Sequence, residues 1–332
     1  MERTLDDIVN VSRKYSEWSS PRGLRKDIVP WRLWEKAKQM FWDPADIDFS
    51  QDAKDWAALD DEQRVAVAGL ARGFMVGEEG VTLDILPLII AMSDEGRTEE
   101  VMYLTTFAME EAKHVDFFRR WFDAIGVDFE ALDAMAAQSM VEQGFDPPDP
   151  DYSDGMFESE LPRVMRTVLM DRSPQAVLNA SITYNQFIEG CLAISGYKIW
   201  SQIFEQFGVL PGMQEGLRLV RADEGRHITY GTYLCRRIMA AHPELLQFAK
   251  DRMYELEGYY FQRFYPTKNG EPVMDDEGSP GFFFQQTFRD GVRDQVERRI
   301  KVLETAAGLA AETAETDFGA EEAELELETQ LA

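Results

Sequence analysis

The sequence predicts an all-α protein built on a four-helix bundle core with additional helices. Three observations favour this fold class. Long stretches carry apolar residues at helical spacing, these stretches begin and end at recognisable helix caps, and no segment shows a convincing strand pattern. The chain has 332 residues, of which 45% are hydrophobic, which is enough to bury a substantial core.

The first two long helices lie in the N-terminal half of the chain. Residues 62–92 have apolar side chains at helical spacing, and Pro87 is expected to kink or break this helix because it lacks a backbone N–H. A second helix is predicted over 98–124, with two glutamates in its first turn and Gly126 as its stop.

The later helices follow at short intervals. A weaker helix is predicted over 127–142, and a strong start at Ser173-Pro174 opens the third long helix, with Ser as N-cap and Pro at the first helical position. Further helices are predicted over 213–241, 243–264 and 284–307. We expect residues 1–307 to form a single domain with a core at about 60–245, and residues 308–332 to form an acidic tail that is disordered or a frayed helix.

Composition and charge exclude several classes of function. The formal net charge of −27 argues against nucleic acid and anionic membranes as partners. No run of 18 uncharged apolar residues predicts membrane insertion, and the charged N-terminus does not resemble a secretory signal. Cys191 and Cys235 lie in apolar stretches and do not suggest a disulfide framework. A cytoplasmic protein is the resulting prediction.

The histidines carry the first functional signal. Only three are present, and two of them occur in the same Glu-x-x-His pattern, Glu111 with His114 and Glu224 with His227. Residues three apart share one face of a helix, so each pair can direct a carboxylate and an imidazole at one point. The third, His242, precedes Pro243 at a predicted helix end, and we interpret it as a surface residue.

Carboxylates in the other two long helices complete a constellation. Glu189 lies in an apolar stretch, and Glu78 and Glu79 lie in the middle of the first long helix. Neighbouring helical residues point about 100° apart, so only one of Glu78 and Glu79 can join the site, and the pattern alone does not choose. Ferritin-like bundles with a dinuclear carboxylate site show this pattern: two helices contribute one Glu each, and the other two contribute a Glu-x-x-His motif each.

The donor set indicates which metals the site would take. Four carboxylates and two imidazoles suit Fe or Mn better than a closed zinc site. Asp223 directly precedes Glu224 and is a candidate acceptor for the N–H of a ligand histidine, which would fix the tautomer of that histidine.

The order and separation of these motifs, over roughly residues 60–245, resemble the ribonucleotide reductase small-subunit superfamily. Within it the chain looks most like the ligand-binding oxidases that resemble that subunit but serve no reductase. The resemblance rests on four stretches: Gly77-Glu78-Glu79-Gly80-Val81-Thr82, Phe107-Ala-Met-Glu-Glu111-Ala-Lys-His114, Tyr184-Asn-Gln-Phe-Ile-Glu189 and Arg221-Ala-Asp-Glu224-Gly-Arg-His227.

The resemblance implies a detailed function. It selects Glu78 over Glu79 and implies a Mn/Fe pair that reacts with O2, although the same ligands also accept Fe/Fe. It further implies an ether cross-link between Val81 and Tyr184, a long-chain fatty acid bound at the metals, and a homodimer. By the same resemblance, Mn is held by Glu78, Glu111 and His114, and Fe by Glu189, Glu224 and His227, with Glu111 bridging.

Three alternatives share the same bundle. A true reductase small subunit that stores a Tyr radical carries a Tyr where this chain has Phe118, although members that use Mn/Fe also have Phe there. Such subunits relay the radical through a tail Tyr, whereas residues 302–332 contain no Tyr or Trp. An acyl-carrier desaturase or N-oxygenase would share the Glu-Glu-x-x-His and Asp-Glu-x-x-His motifs. A non-enzymatic fatty-acid or metal-storage protein would have an inert site.

Overall fold

The computed structural model describes residues 12–147, 149, 153–264, 267–273, 282–305 and 311–316. The predicted all-α class is confirmed, because helices make up nearly all of the regular structure in these ranges. None of the described helices is both long and apolar enough to span a bilayer. The helices are α1 Ser19–Arg22, α2 Val29–Gln39, α3 Ser50–Ala58, α4 Asp61–Asp84, α5 Leu86–Asp94, α6 Thr98–Ile125, α7 Phe129–Glu142, α8 Leu161–Met170, α9 Pro174–Ser181, α10 Ile194–Phe207, α11 Pro211–Ala241, α12 Leu246–Phe264, α13 Phe282–Glu304 and α14 Ala311–Thr316.

The first long helix is interrupted where the sequence predicts it. Helix α4 begins with a capping box in which the Asp60 side chain accepts from the backbone of Gln63, and the Gln63 side chain accepts from the backbone of Asp60. It ends at Asp84, and α5 begins anew with Pro87 in its first turn. Because proline clashes with the carbonyl four residues before it and donates no hydrogen bond, a continuous helix through this point is disfavoured.

Helices α6 and α9 start and stop on the predicted signals. Gly126 follows α6 in the left-handed conformation with φ of 66°, which a glycine adopts without steric cost. Ser173 caps α9 by accepting from the backbone N–H of Ala176 at 3.2 Å, with Pro174 at the first helical position. These caps fix the end of α6 and the start of α9.

The third long helix differs from its prediction. The sequence favours one helix over 173–207, but Ile182–Ala193 is a π-helix between α9 and α10. A π-helix bonds each N–H to the carbonyl five residues before it, so residues five apart come onto nearly the same side. Tyr184 and Glu189 are separated by five residues and are both buried. The π-helix therefore brings the directions of Tyr184 and Glu189 closer together than a regular α-helix would.

Helices α4, α6 and α11 and the α9–π–α10 segment pack together as the bundle core. The π-helix approaches α11 closely at Gly231, where a Cβ would lie 2.0 Å from the Cβ of Asn185. Only glycine fits there. The close approach holds the helix that carries Glu189 against the helix that carries Glu224 and His227.

One detail contradicts the sequence prediction, and a second adds to it. A short antiparallel hairpin, with strands Thr267–Lys268 and Glu271–Pro272, occurs where no strand was expected. Helix α14 lies inside the predicted tail of 308–332, and its Glu315 accepts from Arg97 Nη1 at 2.9 Å. This ion pair and the burial of Ala314 anchor α14 on the bundle, which the acidic composition alone did not indicate. Residues 308–310 and 317–332 lie outside the described residues.

Candidate metal centre

The bundle brings all six predicted ligand side chains to one buried place. Helix α4 contributes Glu78, α6 contributes Glu111 and His114, the π-helix contributes Glu189, and α11 contributes Glu224 and His227. Their ligand atoms form two groups, each within 4.8 Å: Glu78, Glu111, His114 and Glu224 in one, and Glu111, Glu189, Glu224 and His227 in the other. Glu111 and Glu224 belong to both groups, which is the arrangement expected of carboxylates shared by two ions.

In the first group the atoms converge on His114. Its Nδ1 lies 3.1 Å from Glu78 Oε2, 3.7 Å from Glu111 Oε2 and 3.4 Å from Glu224 Oε1. One nitrogen and three carboxylate oxygens therefore surround one point.

The second group repeats this geometry around His227. Its Nδ1 lies 3.0 Å from Glu111 Oε1, 3.6 Å from Glu189 Oε1 and 3.5 Å from Glu224 Oε2. Glu111 and Glu224 each present one oxygen to His114 and the other to His227. The two groups thus form a pair of adjacent sites with matching donors.

The structure distinguishes the two neighbouring glutamates of α4. Glu78 points into the bundle with 7% of its surface exposed, whereas Glu79 is exposed to solvent. A turn of 100° per residue places them on different faces, as the sequence requires. The geometry therefore joins Glu78 to the cluster and leaves Glu79 out.

Each histidine is oriented by a carboxylate from the opposite helix. His114 of α6 contacts Asp223 Oδ2 of α11 through Nε2 at 3.2 Å, and His227 of α11 contacts Glu110 Oε2 of α6 through Nε2 at 2.9 Å. The sequence singled out Asp223 but missed Glu110. Glu110 directly precedes Glu111 as Asp223 precedes Glu224, so the repeat itself contained the signal.

Buried cations hold these two outer carboxylates. The Arg226 guanidinium donates to both, reaching Glu110 Oε1 at 2.6 Å, and Lys113 lies 2.8 Å from Asp223. Trp42 Nε1 also donates to Asp223, at 2.8 Å. Burial by itself raises the pKa of Asp223, but His114, Arg226 and Lys113 together hold it well below its usual range. Asp223 therefore stays an anion that can accept from histidine.

Charge repulsion and burial shape the protonation of the cluster. Burial raises the pKa of Glu78 and of Glu189 well above the ordinary value. Burial also acts to raise the pKa of Glu111, but His227 and His114 lower it on balance. The pKa of His114 is raised well above its usual range, because its carboxylate neighbours outweigh the effect of burial. So many buried carboxyl groups in contact favour either bound protons or bound cations.

Several ligand atoms lack hydrogen-bond partners. Within the described chain, Glu189 Oε1, Glu224 Oε2 and His227 Nδ1 are buried and accept or donate no hydrogen bond. Buried polar atoms are normally satisfied, and leaving one unsatisfied costs about 1–3 kcal/mol. Each of these atoms faces the cluster, so coordination to metal ions would satisfy them.

Tyr184 and Val81 both lie next to this cluster. The Tyr184 hydroxyl donates to Glu111 Oε1 at 3.0 Å. Val81 is buried one turn beyond Glu78 and lines the same cavity as Glu78 and Glu111. Tyr184 therefore contacts Glu111, one of the two carboxylates that both groups share, and Val81 lines the cavity that Glu111 also lines.

A cavity of about 730 Å³ adjoins the centre. The carboxylates of Glu78, Glu111, Glu189 and Glu224 form part of its wall, and most of the rest is apolar. The apolar lining includes Phe74, Val81, Phe157, Ile188, Leu192 and Ile199. This volume and lining are typical of a site for a hydrophobic small molecule.

Comparison with known proteins identifies the family that shares this fold and site. The family "Ribonucleotide reductase, small chain" matches residues 26–269, which is most of the chain. The chain therefore belongs to the ribonucleotide reductase small-chain family.

Solved structures define its place within that family. An R2-like ligand-binding oxidase from Sulfolobus acidocaldarius is 33% identical, with a TM-score of 0.74 over 91% of this chain and 98% of that chain. A glycine-to-phenylalanine variant of an R2-like ligand-binding oxidase, with anaerobically reconstituted Mn/Fe cofactor, is also 33% identical, with a TM-score of 0.73 over 88% of this chain and 98% of that one. A tyrosine-to-phenylalanine variant with aerobically reconstituted Mn/Fe cofactor matches at 33% identity over the same shares, with a TM-score of 0.71. The chain is thus one of the R2-like ligand-binding oxidases, and it is an oxidoreductase.

Proposed function

We propose that this protein is a dinuclear Mn/Fe oxidase that activates O2, binds a long-chain fatty acid at the metals and joins Val81 to Tyr184 through an ether bond. The observation that carries the proposal is the pair of overlapping ligand groups that share Glu111 and Glu224 beside a mostly apolar cavity. The Mn/Fe cofactors of the similar structures support the choice of metals.

The residues present fit two metal ions. Glu78, Glu111 and His114 would hold Mn, and Glu189, Glu224 and His227 would hold Fe, with Glu111 bridging. The carboxylate oxygens and the histidine nitrogen that lack hydrogen bonds would gain partners on metal binding. The donor set also accepts Fe/Fe. When bound, the two metals would supply the reduction of O2.

Asp223 and Glu110 prepare the histidines for this role. Because each Nε2–H donates to a carboxylate, the Nδ1 of His114 and of His227 faces the cluster, where a bound metal ion would replace the Nδ1 proton that the surrounding carboxylates favour. This arrangement fixes the tautomer that binds a metal ion. The protein thereby orders its nitrogen ligands before any metal arrives.

The lining of the cavity determines when a fatty acid can bind. An acyl chain matches the apolar lining, but a fatty-acid carboxylate would meet the glutamates of the centre at the polar part of the wall. Like charges that share a buried site repel strongly. Bound metals would reverse this repulsion, so we expect fatty-acid binding to require metal loading.

The cross-link is a two-electron oxidation of the protein itself. Tyr184 loses its hydroxyl hydrogen, Val81 loses one hydrogen from carbon, a C–O bond forms, and O2 takes up the two electrons and two protons. The hydrogen bond from Tyr184 to Glu111 gives the phenolic proton an acceptor. The burial of Val81 and its position in the wall of the same cavity as Glu78 and Glu111 support its role as the carbon partner.

Peptide mass spectrometry tests the proposal directly. Trypsin releases Val81 in the peptide 73–97 and Tyr184 in the peptide 173–198. Protein loaded with Mn and Fe should yield a joined species, lighter than the sum of the two peptides by two hydrogens, only after exposure to O2. Tyr184→Phe should abolish this species while both peptides remain detectable. Its absence from protein that has bound both metals and consumed O2 would refute the cross-link.

A homodimer belongs to the same proposal. Leu83 of α4, Leu86 and Ile90 of α5, and Met109 of α6, which packs against both, are exposed by 67%, 56%, 44% and 54%. Large apolar side chains exposed on neighbouring helices are candidates for an interaction site. Light scattering coupled to size-exclusion chromatography should report a dimer, and Leu83→Glu should shift it towards monomer. A monomeric parent protein would contradict this part of the proposal.

A further inference from the structure

A chain of buried aromatic rings leads away from the metal centre on the side of His227. Phe107 stacks on His227 with centroids 3.6 Å apart and planes within 9°. Tyr103 lies 6.0 Å from Phe107, Tyr230 lies 5.2 Å from Tyr103, and Tyr233 lies 6.0 Å from Tyr230. All of these rings are at most 1% exposed. Adjacent rings in contact provide a continuous path for electron transfer.

The path also meets the cross-linking tyrosine. Phe107 contacts the Tyr184 ring at 5.6 Å between centroids. The path therefore begins at both a candidate metal ligand and the proposed site of protein oxidation. Phe107 is itself hard to oxidise and would act as a spacer, whereas the tyrosines beyond it are oxidisable.

The far end of the path is a buried carboxylate. The Tyr230 hydroxyl donates to Glu100 Oε2 at 3.0 Å, and the Tyr233 hydroxyl donates to Glu100 Oε1 at 3.2 Å. Glu100 is only 1% exposed, and Arg97 and Arg237 pair with its Oε1 at 3.2 and 3.6 Å. A tyrosine that loses an electron also releases its phenolic proton, so a hydrogen-bonded carboxylate is the group that such an oxidation needs.

We propose that Tyr230 and Tyr233, with Glu100 as proton acceptor, form a redox-active pair that returns electrons to the oxidised metal centre through Tyr103 and Phe107. This inference rests on the proposed function, because the oxidant is the Mn/Fe centre after its reaction with O2. One electron passes from Tyr230 to the metal centre, the hydroxyl proton moves to Glu100, and a neutral tyrosyl radical remains. Tyr233, which donates to the same carboxylate, can supply the next electron by way of Tyr230 once Glu100 has released that proton.

The tyrosine pair would reduce the oxidised metal centre when no substrate C–H bond is available to react with it. Otherwise the oxidised centre would attack the ligands and the cavity wall. Arg97, whose side chain is 28% exposed, brings the Glu100 end of the path near the surface. There an external reductant, such as a thiol or ascorbate, would reduce the tyrosyl radical and restore the phenol.

Electron paramagnetic resonance tests the pair on the full chain. Protein loaded with Mn and Fe without oxygen is mixed with O2, frozen at successive times and examined for an organic radical. Ring-deuterated tyrosine should narrow the signal and so assign it to a tyrosine. We expect the signal to be lost in Tyr230→Phe and in Tyr103→Phe. It should be unchanged in Tyr254→Phe, which removes a tyrosine 46% exposed and outside the path.

A second variant tests the proton acceptor. Glu100→Gln keeps the shape of the side chain but cannot take up the proton, so it should also lose the radical while circular dichroism shows a folded protein. If this variant does not fold, Tyr230→Phe still decides, because it removes one hydroxyl and keeps the packed ring.

The outcomes separate this inference from the proposed function. O2 consumption and the joined peptide are measured in the same samples. If O2 is consumed but no radical appears, or if the radical yield is the same in Tyr230→Phe, the redox pair is refuted while the oxidase stands. If O2 is not consumed, the oxidase proposal fails. Hydrogen peroxide added to the metal-loaded protein then supplies the oxidising equivalent and decides the redox pair alone.

Discussion

Replacing Glu110 by Ala removes the carboxylate that orients His227. In the parent protein Glu110 Oε2 contacts His227 Nε2 at 2.9 Å, and Oε1 accepts from Arg226 at 2.6 Å. Loss of such an outer carboxylate typically weakens metal binding about 10- to 100-fold, or roughly 1.4 to 2.7 kcal/mol. The change also leaves Arg226 with one buried partner fewer, and breaking a buried pair costs about 3–5 kcal/mol of folding stability.

These two effects can be measured separately. Titration against a competing chelator reports metal affinity, and thermal unfolding of the metal-free protein reports stability. Glu110→Gln should bind metal more tightly than Glu110→Ala, because its amide oxygen still accepts from His227. Asp123→Ala, which removes a carboxylate 59% exposed on the same helix, serves as the control and should change neither quantity. Unchanged metal affinity in a folded Glu110→Ala protein would refute the role given to this carboxylate.

Three further predictions follow from the packing of the bundle. Glu78→Ala should lower the metal content measured by mass spectrometry, whereas Glu79→Ala should leave it unchanged because that side chain is in solvent. Burial raises the pKa of both Cys191 and Cys235 to about 12, so neither should react with iodoacetamide at pH 8 until denaturant is added; alkylation of the native protein would contradict this. Gly231→Ala should lower the free energy of unfolding by about 1–3 kcal/mol, because the added Cβ would overlap Asn185 on the facing π-helix. Urea denaturation measures this change, and an unchanged midpoint would show that the close approach of the two helices does not require glycine.

Much of the candidate metal centre could be predicted because its side chains follow helical spacing. Two residues three apart share a helix face, so Glu111 with His114 and Glu224 with His227 were identifiable without coordinates. The fold class was accessible for the same reason. Glu110 could also have been found, because it precedes Glu111 as Asp223 precedes Glu224. The pattern does not show, however, that each of these outer carboxylates accepts a hydrogen bond from the histidine of the other helix.

Other features depend on tertiary structure. Nothing in the local sequence distinguishes a π-helix at 182–193 from a regular helix, because its bonding pattern is fixed by packing against neighbouring helices. Helical spacing alone could not choose between Glu78 and Glu79, because the choice depends on which face of α4 meets the bundle; the family resemblance made that choice. The acidic composition of 308–332 indicated a disordered tail or a frayed helix, and it could not indicate that Glu315 pairs with Arg97, because the two residues are more than 200 positions apart in sequence.

The crossed support of the two histidines has a consequence for how the centre assembles. Helix α6 supplies the acceptor for His227, and α11 supplies the acceptor for His114. Each candidate metal position therefore depends on side chains from both helices. Arg226 contacts both acceptors, so the two positions also share one cation. The histidines are thus oriented in advance, and an ion at one position would order the carboxylates Glu111 and Glu224 that the other position also uses, so the second ion finds less left to order. We expect the centre to fill cooperatively, with few molecules that hold a single metal ion.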